Sequence, residues 1–342
     1  MKKILVTGGL GYIGSHTVVE LQQAGFETLI IDNLSNSSIE VLEGITNITK
    51  KAPGFERLDL RHKADVSDFF NRHSDIDGII HFAASKAVGE SVENPLLYYE
   101  NNLHTLTYLL QECKAHRIEP FIFSSSCTVY GEPESLPITE EAPVKPAISP
   151  YGNTKQISEE IIRDVCAVQP LHSIALRYFN PIGAHHTAEI GELPIGVPQN
   201  LVPFITQTAA GVRKQLSVFG DDYDTPDGSC IRDYIHVVDL AQAHVVALQR
   251  LLSKENAAKF EVFNIGTGRG SSVLEVVQAF EKVTDQELNY TIVERRSGDV
   301  TAVYADTSKA NKKLGWRATK SMEEALASAW KWEQKIRSKQ KK

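Results

Sequence analysis

Thr7-Gly8-Gly9-Leu10-Gly11-Tyr12-Ile13-Gly14 is the stretch on which the reading of this chain turns. The apolar run Ile4-Leu5-Val6 before it predicts a short buried strand. Ser15-His16-Thr17-Val18-Val19-Glu20-Leu21 after it predicts a helix. Strand, glycine turn and helix, in that order, place backbone N–H groups and the positive end of a helix dipole where a phosphate can sit. Gly8, Gly11 and Gly14 are spaced three apart. In such a turn the first glycine permits the tight bend, the second lets a pyrophosphate approach the backbone, and the third lets helix and strand pack closely. The pattern is G-x-x-G-x-x-G, not the commoner G-x-G-x-x-G, and glycine clusters also mark ordinary turns. The surroundings must therefore carry the reading.

They do. Gly25 stops the first helix, and Thr28-Leu29-Ile30-Ile31 predicts a second strand that ends at Asp32, 18 residues beyond Gly14. A dinucleotide fold places an acid there to accept hydrogen bonds from a ribose 2′-hydroxyl. The same charge repels a 2′-phosphate, so NAD is expected over NADP. Further strands are predicted at Phe55–Leu60, Gly78–Ala84, Pro120–Ser126 and His172–Leu176, with helices at Pro95–His116 and Pro150–Val168 between them. Alternating strands and helices predict a parallel sheet covered on both faces, with ligands at the strands' carboxyl ends. Asp32, Asp59, Ala83, Ser126 and Tyr178 all fall at such ends. The expected fold is α/β: a Rossmann-type doubly wound parallel sheet over residues 1–180, then a smaller mixed α/β substrate domain over 181–342, some elements of which return to the first domain.

The proline-rich segment from Glu132 to Pro150 predicts an extended connection. The stretch from Pro181 to Arg232 reads as irregular loops lining a second ligand. Asp239 is expected to N-cap a helix from Leu240 to Leu252, and Ser272 with Glu275 predicts a capping box. Phe260–Asn264 predicts a strand, and Ser321–Ile336 a last helix.

The chain has 342 residues, 42% of them hydrophobic, and a net charge of −7. That is one large or two modest domains with a real core, and the acidic balance argues against general nucleic-acid binding. The basic tail from Lys335 to Lys342 reads as a solvated terminus. Cys113, Cys127, Cys166 and Cys230 form no C-x-x-C pair, which fits free thiols in a reducing cytoplasm and gives no zinc motif. The apolar run after Met1-Lys2-Lys3 stops at Val6, so no signal peptide is expected, and no stretch reaches the length of a membrane span. His185-His186 with Glu189 and Glu192 lie in an irregular loop without a second cluster, so no metal is expected. Phe69-Phe70, Trp330 and Trp332 read as packing aromatics, and Cys127 lacks a paired base that would make it a nucleophile.

Tyr151 and Lys155 are i and i+4 on one face of a predicted helix, with Ser149 as N-cap and Pro150 at N1. The pair follows the fifth strand of a dinucleotide fold and lies after Ser126. A phenol with a pKa of about 10 must fall by about 3 units to act as a base near neutrality. A neighbouring ammonium and a positive nicotinamide both push it that way. Tyr151, Lys155 and NAD therefore make a self-consistent base for a hydroxyl proton while hydride leaves the same carbon, with Ser126 hydrogen-bonding that hydroxyl.

The glycine turn, Ser124-Ser125-Ser126, Val129-Tyr130-Gly131, Tyr151-x-x-x-Lys155 and Arg177-Tyr178-Phe179-Asn180-Pro181 resemble the extended short-chain dehydrogenases/reductases. Within them the chain is most similar to the UDP-hexose 4-epimerases. Those further motifs are Asp32-Asn33-Leu34, Pro198-Gln199-Asn200-Leu201, Asp221-x-x-Asp224-Thr-x-Asp227-Gly228, Arg232-Asp233-Tyr234-Ile-His236-Val and Arg295-Arg296-x-Gly298-Asp299. The resemblance implies a retained NAD, removal of the sugar 4-OH proton by Tyr151, hydride transfer from C4, turning of the 4-keto sugar, and hydride return to its other face. It implies NAD contacts at Gly8, Gly11, Tyr12, Ile13, Gly14, Asp32, Asn33, Asp59, Leu60, Phe82, Ala83, Ala84, Lys86, Asn101, Ser124, Tyr151, Lys155 and Phe179. It implies UDP-sugar contacts at Ser126, Tyr178, Asn180, Asn200, Leu201, Arg232, Arg296, Asp299 and Val303, and a homodimer formed through the helices at 95–116 and 150–168. The arginines suit a diphosphate through forked hydrogen bonds. Val303 stands where family members restricted to glucose and galactose carry a tyrosine, which implies room for an N-acetyl group and turnover of UDP-GlcNAc and UDP-GalNAc as well. A 4,6-dehydratase would need an acid beside the catalytic hydroxyl. Here that segment is Ser126-Cys127-Thr128, with none.

Overall fold

The computed structural model describes residues 1–296 and 299–340. Gly298 of the Arg295–Asp299 motif, and Lys341-Lys342 of the basic tail, lie outside the described residues. Six strands build the first part of the chain: β1 (Lys3–Thr7), β2 (Glu27–Asp32), β3 (Gly54–Arg57), β4 (Gly78–His81), β5 (Pro120–Ser124) and β6 (His172–Tyr178). The helices between them are α1 (Tyr12–Gln23), α2 (Val41–Thr49), α3 (Lys63–Arg72), α4 (Val88–Glu93), α5 (Pro95–His116) and α6 (Pro150–Val168). Then come β7 (Asn180–Ile182), α7 (Leu201–Ala209), β8 (Leu216–Phe219), β9 (Ile231–Arg232), β10 (Tyr234–His236), α8 (Val237–Leu252) and β11 (Phe260–Ile265). The chain closes with β12 (Ser271–Ser272), α9 (Val273–Thr284), β13 (Tyr290–Val293), β14 (Ala302–Val303) and α10 (Met322–Gln340).

The main sheet is parallel, in the order β11-β6-β5-β4-β1-β2-β3. Its strands are near-continuous apolar runs because both faces are covered. One face packs under α1 and α8, with Val18, Val19, Leu240 and Leu248 among the fully buried residues. The other packs under α3, α5 and α6 through Phe69, Phe70, Leu106, Leu109 and Ile162. Strand order reverses between β1 and β4, which opens the crevice where such folds bind ligands. Strand β11 and helix α8 join this sheet although they follow the substrate-side segment in sequence.

The remaining elements make a smaller unit: the parallel pair β7-β10, the three strands β12-β9-β14, the pair β8-β13, and α7, α9 and α10 around a core that includes Ile205, Val276, Phe280 and Leu326. Ser272 and Glu275 form the expected capping box on α9.

Three local expectations need correction. The third strand stops at Arg57, so Asp59 and Leu60 lie in the loop beyond it. The Pro181–Arg232 segment is not wholly irregular, since it contains α7 and β8. Asp239 does not cap α8: the helix starts at Val237 and the His236 ring accepts the Val238 N–H at 3.1 Å. The Asp239 carboxylate is drawn to a longer-range set of donors, the Thr319 N–H (2.9 Å), the Thr319 hydroxyl (3.1 Å) and the Lys320 N–H (2.8 Å).

Candidate active site

At the β1–α1 turn Gly8 has φ +67°, and a Cβ there would lie 2.8 Å from the Ala83 backbone nitrogen. Gly14 is pressed on the Gly8 carbonyl so closely that no side chain fits. The turn thus stacks directly on the Phe82-Ala83-Ala84 segment that leaves β4. Helix α1 starts after Gly11 with no side chain capping it, so the first-turn N–H groups of Tyr12 and Ile13 have no intrahelical acceptor. Both facts fit a phosphate-bearing cofactor approaching backbone instead of side chain.

Asp32 is buried at the end of β2, and its carboxylate is already engaged. It accepts the Leu10 N–H at 3.1 Å, the Leu34 N–H at 2.9 Å and the Ser37 hydroxyl at 2.8 Å. It therefore also braces the glycine turn. Beside it opens a pocket of about 470 Å³ lined by Asn33, Leu34, Ser35, Arg57, Leu58, Asp59 and Arg61. Asn33 donates to Asp59 at 3.2 Å, and the Arg61 guanidinium, 2.7 Å away, holds the Asp59 carboxyl far below the usual carboxylate range. The pocket's amide, carboxylate and guanidinium lining has the polar character that the hydroxyls and ring nitrogens of an adenosine require. Leu60 is buried against the α3–α5 layer. Lys86 follows in the turn after β4, and Asn101 on α5 donates to the Ser85 hydroxyl at 2.9 Å.

Ser149 caps α6, accepting the Gly152 N–H at 3.2 Å, and Pro150 occupies the first turn. That fixes the helix start so that Tyr151 and Lys155 both face the end of β5, and both are buried. The Lys155 ammonium donates to the Ser124 carbonyl at 2.8 Å and lies 5.9 Å from the centre of the Tyr151 ring. The Ser126 hydroxyl accepts the Thr128 N–H at 3.2 Å and lies beside the Tyr151 phenol, whose ionisation it favours, and the Ser124 hydroxyl donates to the Tyr178 phenol at 3.0 Å. Burial pushes the Tyr151 phenol well above its ordinary value, and the neighbouring Tyr178 adds to the rise. Burial also brings Lys155 down to about 8, with Glu159 opposing the shift. In the protein alone, therefore, the phenol moves away from base chemistry. Lys155 spends its shortest bond on a carbonyl, so desolvation outweighs it. The lowering has to come from a positive charge added beside the phenol.

Beneath this group runs a buried network. Glu159 accepts the Ser125 hydroxyl at 2.5 Å and both arms of Arg177, at 2.9 and 2.5 Å. Arg177 in turn covers the Tyr130 ring at 4.7 Å. Cys127 is held neutral, burial pushing its thiol up to about 12.

Across the crevice, Asn180 starts β7, and Phe179 is buried beside Val129, Tyr130, Ile138 and Ala305. Val303 on β14 lies in register with Arg232 on β9 and packs on that same cluster. Arg232 and Arg296 converge on Asp299, at 3.5 and 2.8 Å. Arg296 also lies 5.4 Å from the centre of the Phe219 ring, which is 40% exposed at the end of β8. Asn200 precedes α7 and Leu201 begins it, and the Asn200 side chain donates to Glu192 at 2.5 Å. The sequence-derived site residues thus form two banks, one at the carboxyl ends of β1, β2, β4 and β5 and one from β7, α7, β9 and β14. Phe219, Glu159 and Glu192 were missed as parts of this site. Phe219 closes the apolar run Leu216-Ser217-Val218-Phe219 before Gly220, a strand signal inside the stretch read as irregular. Among the described residues no group of three or more His, Cys, Asp or Glu is arranged to hold a metal ion. Glu189 pairs with Lys335 at 2.5 Å, and the rings of His185 and His186 lie 4.2 Å apart in a tilted contact.

The family model described as GDP-mannose 4,6 dehydratase matches residues 5–329. The UDP-glucose 4-epimerase of Bacillus subtilis is 50% identical over 331 residues, 96% of this chain and 96% of that protein. The crystal structure of UDP-glucose-4-epimerase from Stenotrophomonas maltophila, with bound NAD and formylated UDP-arabinopyranose, superposes with a TM-score of 0.95 at 45% identity, covering 99% of this chain and 100% of that one. The enzyme from Bifidobacterium longum, in complex with NAD+ and UDP, gives a TM-score of 0.93 at 46% identity over 98% of each chain. With identity of this order along nearly its whole length, and a Tyr-Lys pair buried at the crevice of a doubly wound sheet, this chain belongs to the UDP-glucose 4-epimerase family of extended short-chain dehydrogenases/reductases.

Proposed function

We propose that the protein is an isomerase that interconverts UDP-glucose and UDP-galactose at C4 with NAD as a retained cofactor. The observation that carries this reading is the opposition of the buried Tyr151–Lys155–Ser126 group to the arginine pair on Asp299. Acid–base residues and residues suited to a diphosphate line one crevice. NAD, when bound, supplies the electron acceptor that makes C4 transiently a ketone and then restores it. The chain's own residues do the rest. Tyr151 takes and returns the 4-OH proton, Ser126 orients that hydroxyl, and Lys155 holds the end of β5 and adds positive charge. The α1 N-terminus, Asp32, Asn33 and the Asp59 pocket hold the cofactor. Arg232, Arg296, Leu201 and Asn200 hold the diphosphate, and Phe219 offers a face on which the uracil stacks. Asp299, which both arginines now share, keeps them in place until the diphosphate arrives.

Val303 is small and packs at the edge of the sugar-side cluster, which supports turnover of the N-acetylated UDP-hexoses too. Exposed apolar residues on α4 and α5, among them Val88, Val92, Leu96 and Leu97, support a homodimer through that side of the sheet. No helix among the described residues is long and apolar enough to cross a membrane. The four free cysteines support a cytoplasmic location.

The test is incubation of the purified protein with UDP-galactose, without added NAD, and analysis of the nucleotide sugars. UDP-glucose is the expected product. A 4-keto-6-deoxy sugar would make the protein a dehydratase, a reaction for which Ser126-Cys127-Thr128 offers no acid. No product at all would leave a non-catalytic NAD-binding protein.

A further inference from the structure

Asn200 sits in the position and backbone conformation of a helix N-cap, with φ −102° and ψ 150°. An asparagine there ordinarily turns its side-chain oxygen onto an N–H of its own helix. This one does not cap α7. It reaches away instead, its amide nitrogen donating to Glu192 Oε1 at 2.5 Å. The third residue of α7 is Pro203, which has no N–H, so Leu201 and Val202 are the first-turn donors that a cap or a ligand can use.

Glu192 is well placed to impose this. Its side chain is only 12% exposed, and its own backbone is fixed from behind. The Trp332 indole N–H donates to the Glu192 carbonyl at 2.8 Å, and the same ring lies against Gly191. One face of α10 grips the rest of the loop: Ser328 accepts the Ala184 N–H at 3.0 Å, Lys331 donates to the His186 carbonyl at 2.8 Å, and Lys335 pairs with Glu189. Glu192 also faces Lys86, but at 3.9 Å and with the lysine half exposed that pair contributes little. The bond to Asn200 is the stronger link.

We propose that Glu192 is a positioning residue for the UDP-sugar: it holds the Asn200 side chain off the N-terminus of α7, so that the Leu201 and Val202 N–H groups stay open to the diphosphate. This rests on the assignment of α7 to the diphosphate made above. Without Glu192, Asn200 falls back onto its own helix. The helix gains a cap and the substrate loses its donors.

The experiment is steady-state kinetics of UDP-galactose conversion, with thermal unfolding, on the full-length NAD-bound enzyme and four variants. Glu192→Ala is expected to raise KM by about tenfold, kcat staying within about threefold, with a melting temperature no lower than that of the parent. Glu192→Gln keeps an oxygen for the Asn200 N–H and should restore KM to within about twofold of the parent, although it cannot pair with Lys86. Asn200→Ala cannot cap α7, so adding Glu192→Ala to it should leave KM within about twofold of Asn200→Ala alone, because Glu192 acts only through that side chain. A Glu192→Ala enzyme with unchanged KM, from a parent that converts UDP-galactose, overturns the positioning role alone. So does a Glu192→Ala enzyme whose kcat and melting temperature fall together, the mark of a merely structural residue. A rise in KM on Glu192→Ala that is as large in the Asn200→Ala background as in the parent would show that Glu192 acts by another route and overturns the inference, whereas a parent that does not convert UDP-galactose overturns the proposed function and the inference with it.

Discussion

Tyr151 is a phenol made harder to ionise by the fold that holds it. Desolvation acts on any buried acid, whereas the help from Lys155 falls off with distance and is shared with the Ser124 carbonyl. Removing the hydroxyl should therefore remove the chemistry without disturbing the cavity. Tyr151→Phe is expected to lower kcat by at least about a hundredfold, with bound NAD retained, as read by product analysis and the cofactor's absorbance after denaturation. Loss of NAD from that variant would show that Tyr151 serves binding. Lys155 gives a pH prediction. Its folded pKa, about 8, lies below the unfolded value of 10.5, so between those two values the unfolded chain binds the extra proton. Stability should then rise as pH goes from about 8 to 10, by an amount on the order of 2 kcal/mol, and Lys155→Met should flatten that rise in urea unfolding. At Val303 the prediction concerns specificity. Val303→Tyr is expected to cut UDP-GlcNAc conversion by at least about tenfold while UDP-glucose conversion stays within about twofold. Equal losses on both substrates would mean that the wall of the N-acetyl pocket lies elsewhere.

The elements around the site are held by side chains that reach across the sequence. Asp239 stands in the first turn of α8 yet ties down Thr319 and Lys320, the approach to α10. Asp239→Ala is expected to cost about 1–3 kcal/mol in urea unfolding, since it leaves three part-buried donors without their acceptor instead of merely removing a cap. A cost below about 1 kcal/mol would be that of an ordinary helix cap. The Glu159–Arg177 pair does a similar service under β5. It fixes Ser125, and hence the flanking Ser124 and Ser126, from a position one turn beyond Lys155 on α6. Much of the element layout was open to reading from residues alone: Pro95 and His116 bound α5, and Pro150 and Val168 bound α6, as the proline and periodicity signals predict. Where the reading failed, at Asp239, the local signal was real but a distant set of donors outcompeted it.

For the molecule as a whole, the two banks of the crevice come from a sheet that the chain leaves and rejoins. After the Pro181–Arg232 excursion, α8 covers that sheet and β11 extends it, so the two units are interleaved in sequence. The cofactor bank is built on backbone at α1 and on the Asp32 brace of the glycine turn. Binding there should stabilise the fold by linkage. Stripping NAD is expected to lower the melting temperature by several degrees, with recovery on adding NAD back and little recovery with NADP. Equal recovery with NADP would argue against the role given to Asp32 at the ribose.

By itself the sequence determined the doubly wound sheet, the glycine turn, the Asp32 position and the helical register of Tyr151 and Lys155. Each is a local matter of apolar period, backbone freedom or i,i+4 spacing. Tertiary structure alone decided the partners. It sent Asp239 to Thr319, put Phe219 beside Arg296, drew Arg232 and Arg296 onto Asp299, and turned Asn200 toward Glu192. It also decided the sign of the Tyr151 shift. The physical reason is common to all of these. Hydrogen bonds and desolvation depend on which groups end up within a few ångströms of each other, and residues distant in sequence meet only once the core has closed.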